Sequence, residues 1–327
     1  MNPARRHVVI AALAGLVAML CALSLMAGRV WTPLSAFTDH ADPRWLIIFE
    51  LRTPHTVLAV LVGAALGTSG AAMQGYTRNP LADPGVLGVS AMAALGAVAT
   101  LYFGAAAANP WVLPGAAIAG ALAGVLMLMG LAGASSSTVT FILAGAILNT
   151  VASSGVALAL NLAPNPWAVG QIVDWLMGSL ADRSFDEIRI AAPLILTGCG
   201  LLLTTGRALD ALTLGETGAR SLGVDMRLTR WLLGSGVGLA AGASVAVTGV
   251  VGFVGLVTPH LLRPLVGAQP GRLLVPSALG GAALVLAADI AVRLTPSAAE
   301  VKLGVAMAAL GGPFFLGLLF AMRRRLA

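Results

Sequence analysis

Residues Gln74 to Gly88, reading QGYTRNPLADPGVLG, interrupt two long apolar stretches and constrain the chain more than any other segment. A membrane helix that stops at Arg78-Asn79-Pro80 and restarts after Pro84-Gly85 frees N–H and C=O groups that lipid cannot satisfy. Such a loop belongs where protein or water lines it. The membrane setting follows from 58% hydrophobic and only 10% charged residues, with a mean hydropathy of +0.93, well outside the usage of soluble domains. At about 20 apolar residues per crossing, the chain has room for roughly eight to eleven spans and no sizeable soluble domain. Residues 1–327 therefore read as a single transmembrane domain.

Charges, prolines and polar clusters divide the chain into ten apolar segments, near 8–28, 55–77, 86–107, 111–132, 138–162, 188–206, 229–250, 253–267, 273–293 and 302–321. The first follows Arg5, Arg6 and His7 and is too long for a signal-peptide core, so it reads as an uncleaved helix. Segment 253–267 carries Pro259, His260, Arg263 and Pro264 and reads as a broken or partly interior helix. An even count places both termini on one side. That side collects Arg5, Arg6, Arg78, Arg207, Arg220, Arg227, Arg230, Arg263, Arg272 and Arg323 to Arg325. Arg29, Arg44, Arg52, Arg183, Arg189, Arg293 and Lys302 fall opposite, with most of the acids, among them Asp39, Asp42, Glu50, Asp174 and Glu300. Both termini are thus expected in the cytoplasm.

Small residues recur every fourth position at Ala59, Gly63, Gly67, Ala71 and Gly75, and again at Gly234, Gly238, Gly242 and Ala246. Each stripe lets another backbone approach closely. Two such stripes five crossings apart fit an inverted repeat of the transporter kind, or ordinary small-residue packing.

Several chemistries are excluded. The only lysine, Lys302, follows Val301, so no G-x-x-x-x-G-K-[ST] phosphate loop exists in the chain. No histidine pair has metalloprotease spacing and no G-x-S-x-G elbow occurs, so no enzyme is expected. Cys21 and Cys199 lie inside apolar runs at no metal or redox spacing. The net charge of +6 is not interleaved with aromatics as in nucleic-acid binders, so it reads as membrane orientation. An ion-driven secondary carrier, the alternative to an externally powered one, would place carboxylates near the midplane. The one intramembrane acid, Asp289, lies four residues before Arg293 and is expected in a helix-surface ion pair. Residues 208–227 interleave polar and apolar positions between glycines, as a short helix outside the membrane or a solvated connector would.

Ordered motifs across most of the chain resemble one family, the FecCD permeases of ATP-binding-cassette importers for iron-siderophores, haem and vitamin B12. They are Leu51-Arg52-Thr53-Pro54, Arg78-Asn79-Pro80-Leu81-Ala82-Asp83-Pro84-Gly85, the 214–223 stretch, Val251-Gly252-Phe253-Val254-Gly255-Leu256-Val257-Thr258-Pro259-His260, Ala288-Asp289-Ile290 and Leu310-Gly311-Gly312-Pro313-Phe314-Phe315. The resemblance implies an all-α, polytopic type II importer permease with ten transmembrane helices in a bacterial inner membrane. It implies a second permease copy, two ATPase subunits that hold ATP and Mg, and a periplasmic binding protein, with no cofactor in this chain. By the same resemblance, Asn79, Leu81, Thr138 and Val139 match the translocation gate. Leu214, Gly215, Glu216, Arg220, Leu222 and Gly223 match the helix that couples to the ATPase. Arg52, His55 and Arg293 match the docking surface for the binding protein.

The chain departs from the family pattern at three places. His55 stands where relatives carry a second arginine, which makes docking pH-sensitive or marks an interfacial histidine. Ala91-Met92 replaces a Ser-Gly or Asn-Gly pair, and Glu300-Val301-Lys302 replaces Glu-Leu-Pro. Both fall on expected cargo-facing walls, so the cargo does not follow from the resemblance. Met92 is expected to pack rather than to ligate a metal.

Overall fold

The structure is a computed structural model that describes residues 3–28, 31–133, 137–296 and 301–326. Arg29 and Glu300, placed on the outer face by charge, lie outside the described residues. The main apolar helices are α1 Pro3–Met26, α2 Thr53–Thr77, α3 Val89–Tyr102, α4 Val112–Ala132, α5 Thr138–Asn161, α6 Phe185–Thr204, α7 Met226–Thr248, α8 Val254–Val266, α9 Pro270–Leu294 and α10 Leu303–Leu326. Each expected apolar segment is thus helical. Seven have the length and apolarity to cross a bilayer, and α3, α8 and α10 supply shorter apolar stretches.

Burial sorts the helices. Most of α2, α7 and α9 is inside the bundle, whereas α1 is half-buried along one face, where Val9, Leu13 and Val17 touch the core, and α4, α5 and α6 lie at the periphery. Exposed Leu, Val and Ile on peripheral helices suit lipid, because hydrocarbon is as apolar as a protein core. Inside, association rests on close packing, and the small-residue stripes supply it. Gly63 and Gly67 of α2 face Gly281 and Ser277 of α9, and Gly70 lies against Gly255 of α8. The second stripe meets different partners: Gly234, Gly238 and Gly242 of α7 face Met129, Val125 and Ala121 of α4.

The partly interior reading of segment 253–267 is confirmed. α8 is only 13 residues long and enters from Phe253, whose φ of 67° is unusual for a side-chain-bearing residue. Pro259 and Pro264 lie within it, and its Val254, Val257 and Leu262 are buried. Elements outside the expected segments include the amphipathic helix Pro166–Leu176 and a π-helical turn at Ile47–Arg52 that leads into α2.

A Cβ on Gly70 would overlap the carbonyl oxygen of Gly255, a backbone atom that cannot step aside, whereas one on Gly130 meets nothing within 4 Å. Gly70→Ala is therefore expected to destabilise the folded protein by about 3 kcal/mol. Gly130→Ala is expected to be neutral or stabilising by about 1 kcal/mol at most. Thermal unfolding in detergent micelles checks the pair, and equal melting temperatures would contradict this packing.

Candidate functional site

The expected residues fall into two groups at opposite ends of the bundle. On the side of the chain interruption, α2 ends at Thr77 and Arg78 turns left-handed with φ 53°. Short side chains then satisfy the freed backbone. Asn79 Oδ1 accepts from Leu81 N–H at 2.9 Å, and Asp83 Oδ1 accepts from Gly85 N–H at 2.8 Å. A 3-10 turn at Pro84–Leu87 and Gly88, with φ 73°, deliver the chain into α3. That turn packs on α5, where Gly145 faces Val86 and Leu87. Tyr76, at the end of α2, contacts Phe141 of α5 ring to ring at 5.4 Å.

The interruption and the start of α5 therefore form one unit. Within it Asn79 is exposed, Leu81 is 43% exposed, Val139 is 64% exposed and Thr138 is buried. Two apolar side chains, one from each segment, thus project away from the single chain. The exposed positions of α5 also include Asn149, Thr150, Ser153 and Ser154 beside Leu143, Ile147 and Val151. A face of that mixed character suits a wetted or protein-facing position better than hydrocarbon alone.

Between α6 and α7 the chain forms two short helices, Gly206–Leu212 and Gly215–Ser221. Residues 214–223 are thus helical at their centre, with Gly215 and Gly223 at φ 87° and 82° as the turn residues. Leu214 and Leu222 are 68% and 64% exposed, Arg220 is exposed, and Ala219 is buried as the inward-facing anchor. Glu216 turns the other way. Its Oε1 accepts from the backbone N–H of Thr138 at 2.7 Å. Burial works against this carboxylate, but the bonds from Thr138 and the nearby Arg220 and Arg230 outweigh it and hold the carboxyl below its usual range. In the preceding short helix, Asp210 accepts from Gly271 N–H and from Gln269 Nε2, both at 2.7 Å, at the start of α9.

At the opposite end, Arg52, His55 and Arg293 come together, but as interior groups. Arg52 is 8% exposed, and its Nη1 donates to Leu25 O at 2.9 Å, Met26 O at 2.7 Å and Thr32 Oγ1 at 3.0 Å. Arg293 donates to Ser24 O at 3.0 Å and to Ser24 Oγ. The two guanidinium groups hold the last carbonyls of α1, which have no intrahelical partner. Asp289 corrects the expectation of a surface ion pair. It is 3% exposed, pairs with Arg293 at 2.9 Å and meets His55 Nε2 at 2.6 Å. The missing partner was 234 positions away in sequence, beyond the reach of any helical spacing argument. A cavity of about 270 Å³ opens over this cluster, lined by Arg52, His55, Asp289, Arg293, Asp182 and Ser179.

Two residues that depart from the pattern, Met92 and Lys302, have structural contacts. Met92 packs against Gly120 and Gly124 of α4, and Lys302 pairs with Asp174 at 2.9 Å. No group of three or more histidine, cysteine, aspartate or glutamate side chains is placed to hold a metal among the described residues.

The FecCD transport family model matches residues 16–321. The chain belongs to the FecCD transport family. Its relatives include the vitamin B12 import system permease protein BtuC of Klebsiella pneumoniae, 38% identical over 304 residues that cover 93% of this chain and 90% of the relative. BtuC of Vibrio cholerae is 38% identical over 312 residues, covering 94% and 92%. BtuC of Escherichia coli O9:H4 is 39% identical over 315 residues, covering 94% of each. Among solved structures, one assigned to the metal-chelate type of ABC transporter, in an inward-facing conformation, superposes with a TM-score of 0.87 at 31% identity. That superposition covers 96% of this chain and 99% of the other. The protein is thus an all-helical, multi-pass membrane permease of the FecCD type.

The buried cluster yields a stability prediction. Asp289→Ala leaves Arg293 and His55 without their acidic partner and should cost about 3 kcal/mol. Arg189→Ala, which removes a surface pair with Asp186, should change nothing measurable. Melting temperatures in detergent check both, and an unchanged Asp289→Ala variant would show that the cluster does not hold α1.

Proposed function

We propose that the protein is the permease subunit of an ABC importer that moves a metal chelate or a cobalamin into the cytoplasm. The power comes from ATP hydrolysed on separate ATPase subunits, where the nucleotide and Mg are held. The observation that carries this reading is the match over nine-tenths of importer permeases such as BtuC, from before the interruption to beyond the end of α9. In the working assembly two copies face each other, ten helices each with both termini cytoplasmic. The exposed face of α5 with Leu81, Asn79 and Val139 then borders the central pathway, and the buried Thr138 stands behind Val139. A ring of small and apolar side chains closes such a path to ions and makes few contacts that would trap a bulky cargo.

The ATPase sits against the Gly215–Ser221 helix. Two exposed leucines flanking a charged helix outside the membrane are the pattern of an interface anchor with a polar rim. At the outer face, the binding protein docks over the cavity that holds Arg52, His55 and Arg293. Both arginines also secure α1, so the docking role rests on the placement of this basic cluster beneath the cavity, toward which acidic residues of the incoming lobes would be steered.

Two predictions follow from these surfaces. Leu214→Asp with Leu222→Asp should lower the amount of ATPase that co-purifies with the permease by at least about tenfold, and the melting temperature should stay close to that of the parent. Undiminished association would overturn the assignment of this helix. Docking of the binding protein to the unchanged permease should weaken as salt rises, and salt-independent docking would contradict the electrostatic reading. The salt titration is the cleaner test, since replacing Arg52 or Arg293 disturbs docking and the end of α1 together.

A further inference from the structure

One side chain of the coupling segment is committed inward. Glu216 lies on the Gly215–Ser221 helix, between the exposed Leu214 and Leu222. Its carboxylate receives the N–H of Thr138, the first residue of α5, at 2.7 Å. Helix starts carry unsatisfied N–H groups and a positive end of the helix dipole, so a carboxylate there is a charge-assisted cap. Ser137 Oγ takes the N–H of Thr140 at 3.3 Å, so the first turn of α5 is held from two directions. The residue capped by Glu216 is next to Val139, whose side chain projects from the same turn. Arg78, at the start of the interruption, reaches within 3.7 Å of where a Cβ on Gly215 would stand. The short helix is therefore in touch with both segments that carry the proposed gate.

The Glu216 contact is also the natural place for movement to pass. Asp210, one short helix earlier, is bonded to the start of α9, which ties the hairpin to the packed core around α2. Facing Glu216 are Arg220 on its own helix and Arg230 on α7, and both favour the charged, bond-accepting form. We propose that Glu216 is the positioning residue that transmits displacement of the coupling helix to α5, and so to the gate, through its bond to Thr138 N–H. This rests on the importer reading above and deepens it, because it assigns Glu216 to the permease's own gate helix and not to the ATPase surface.

The test uses the full assembly of permease, ATPase and binding protein in lipid vesicles, with cargo uptake and ATP hydrolysis measured together. Glu216→Ala should lower cargo moved per ATP by about tenfold, the effect expected when a hydrogen bond to a charged group is lost. The ATPase should remain bound in the parent's amount. Glu216→Gln keeps an acceptor oxygen and should recover most of the ratio. Thr138→Pro removes the donor at the first helical position, where proline is tolerated. It should lower the ratio as Glu216→Ala does, with no further loss when the two are combined. This second route keeps the idea testable if Glu216→Ala folds poorly. An unchanged ratio, a loss of uptake that tracks loss of bound ATPase, or additive losses in the double variant would each overturn the proposal. If the parent assembly shows no ATP-driven uptake at all, the importer reading itself fails, which is a distinct outcome.

Discussion

Helix ends in or near a bilayer carry backbone groups that lipid cannot satisfy, and this protein meets that demand with charged side chains of the sign each end requires. Arg52 and Arg293 hold the carbonyl end of α1. Asp210 and Glu216 hold the N–H ends of α9 and α5. Asn79 and Asp83 do the same on a smaller scale inside the interruption. Asn79 and Asp83 act locally, two residues along the chain, whereas Arg52, Arg293, Asp210 and Glu216 each lie on a different element from the end they cap. Satisfying the backbone and joining the elements are therefore one event.

The interior depends on a second constraint, close approach of backbones at glycine. α2 lies against α9 and α8 with no room for side chains at Gly63, Gly67 and Gly70, so these helices shift together or not at all. Interfaces of this kind move as rigid bodies, because packed cores have discrete arrangements and do not deform smoothly. The peripheral α5 is held differently. It meets the core through the 84–87 turn, the Tyr76–Phe141 contact and the Glu216 cap. It also packs along one face on α3, where Gly155 meets Leu95, while its other face stays exposed, so it is held from one side where α2 is enclosed.

Much of the fold was legible in the sequence, for physical reasons. Apolar runs bounded by proline, glycine and charge marked all the main helices to within a few residues, since a bilayer admits few other readings. Helix Pro166–Leu176 escaped because its Gln171 and Asp174 broke the apolar run, although its Asn165-Pro166 start is a good helix signal. The outer cluster escaped more completely. Asp289 and Arg293 at helical spacing suggested a surface pair, and nothing local disclosed that His55 and the end of α1 would close over them. Arg52 was read as a docking cation, while the structure shows how much of its hydrogen-bonding capacity α1 has claimed. Glu216 illustrates the same limit: its place in a short segment between two long apolar helices was readable, but the direction of its side chain was a tertiary fact.

The proposed gate segments, coupling helix and docking cavity fit a permease powered by separate ATPase subunits, with displacement entering at the Gly215–Ser221 helix. The most direct measurement of that account is cargo uptake into vesicles that contain the permease, with its binding protein outside, with and without the ATPase and ATP within. The account predicts uptake only when ATPase and hydrolysable ATP are both present, regardless of proton or sodium gradients. Uptake driven by an ion gradient in vesicles lacking the ATPase would contradict it.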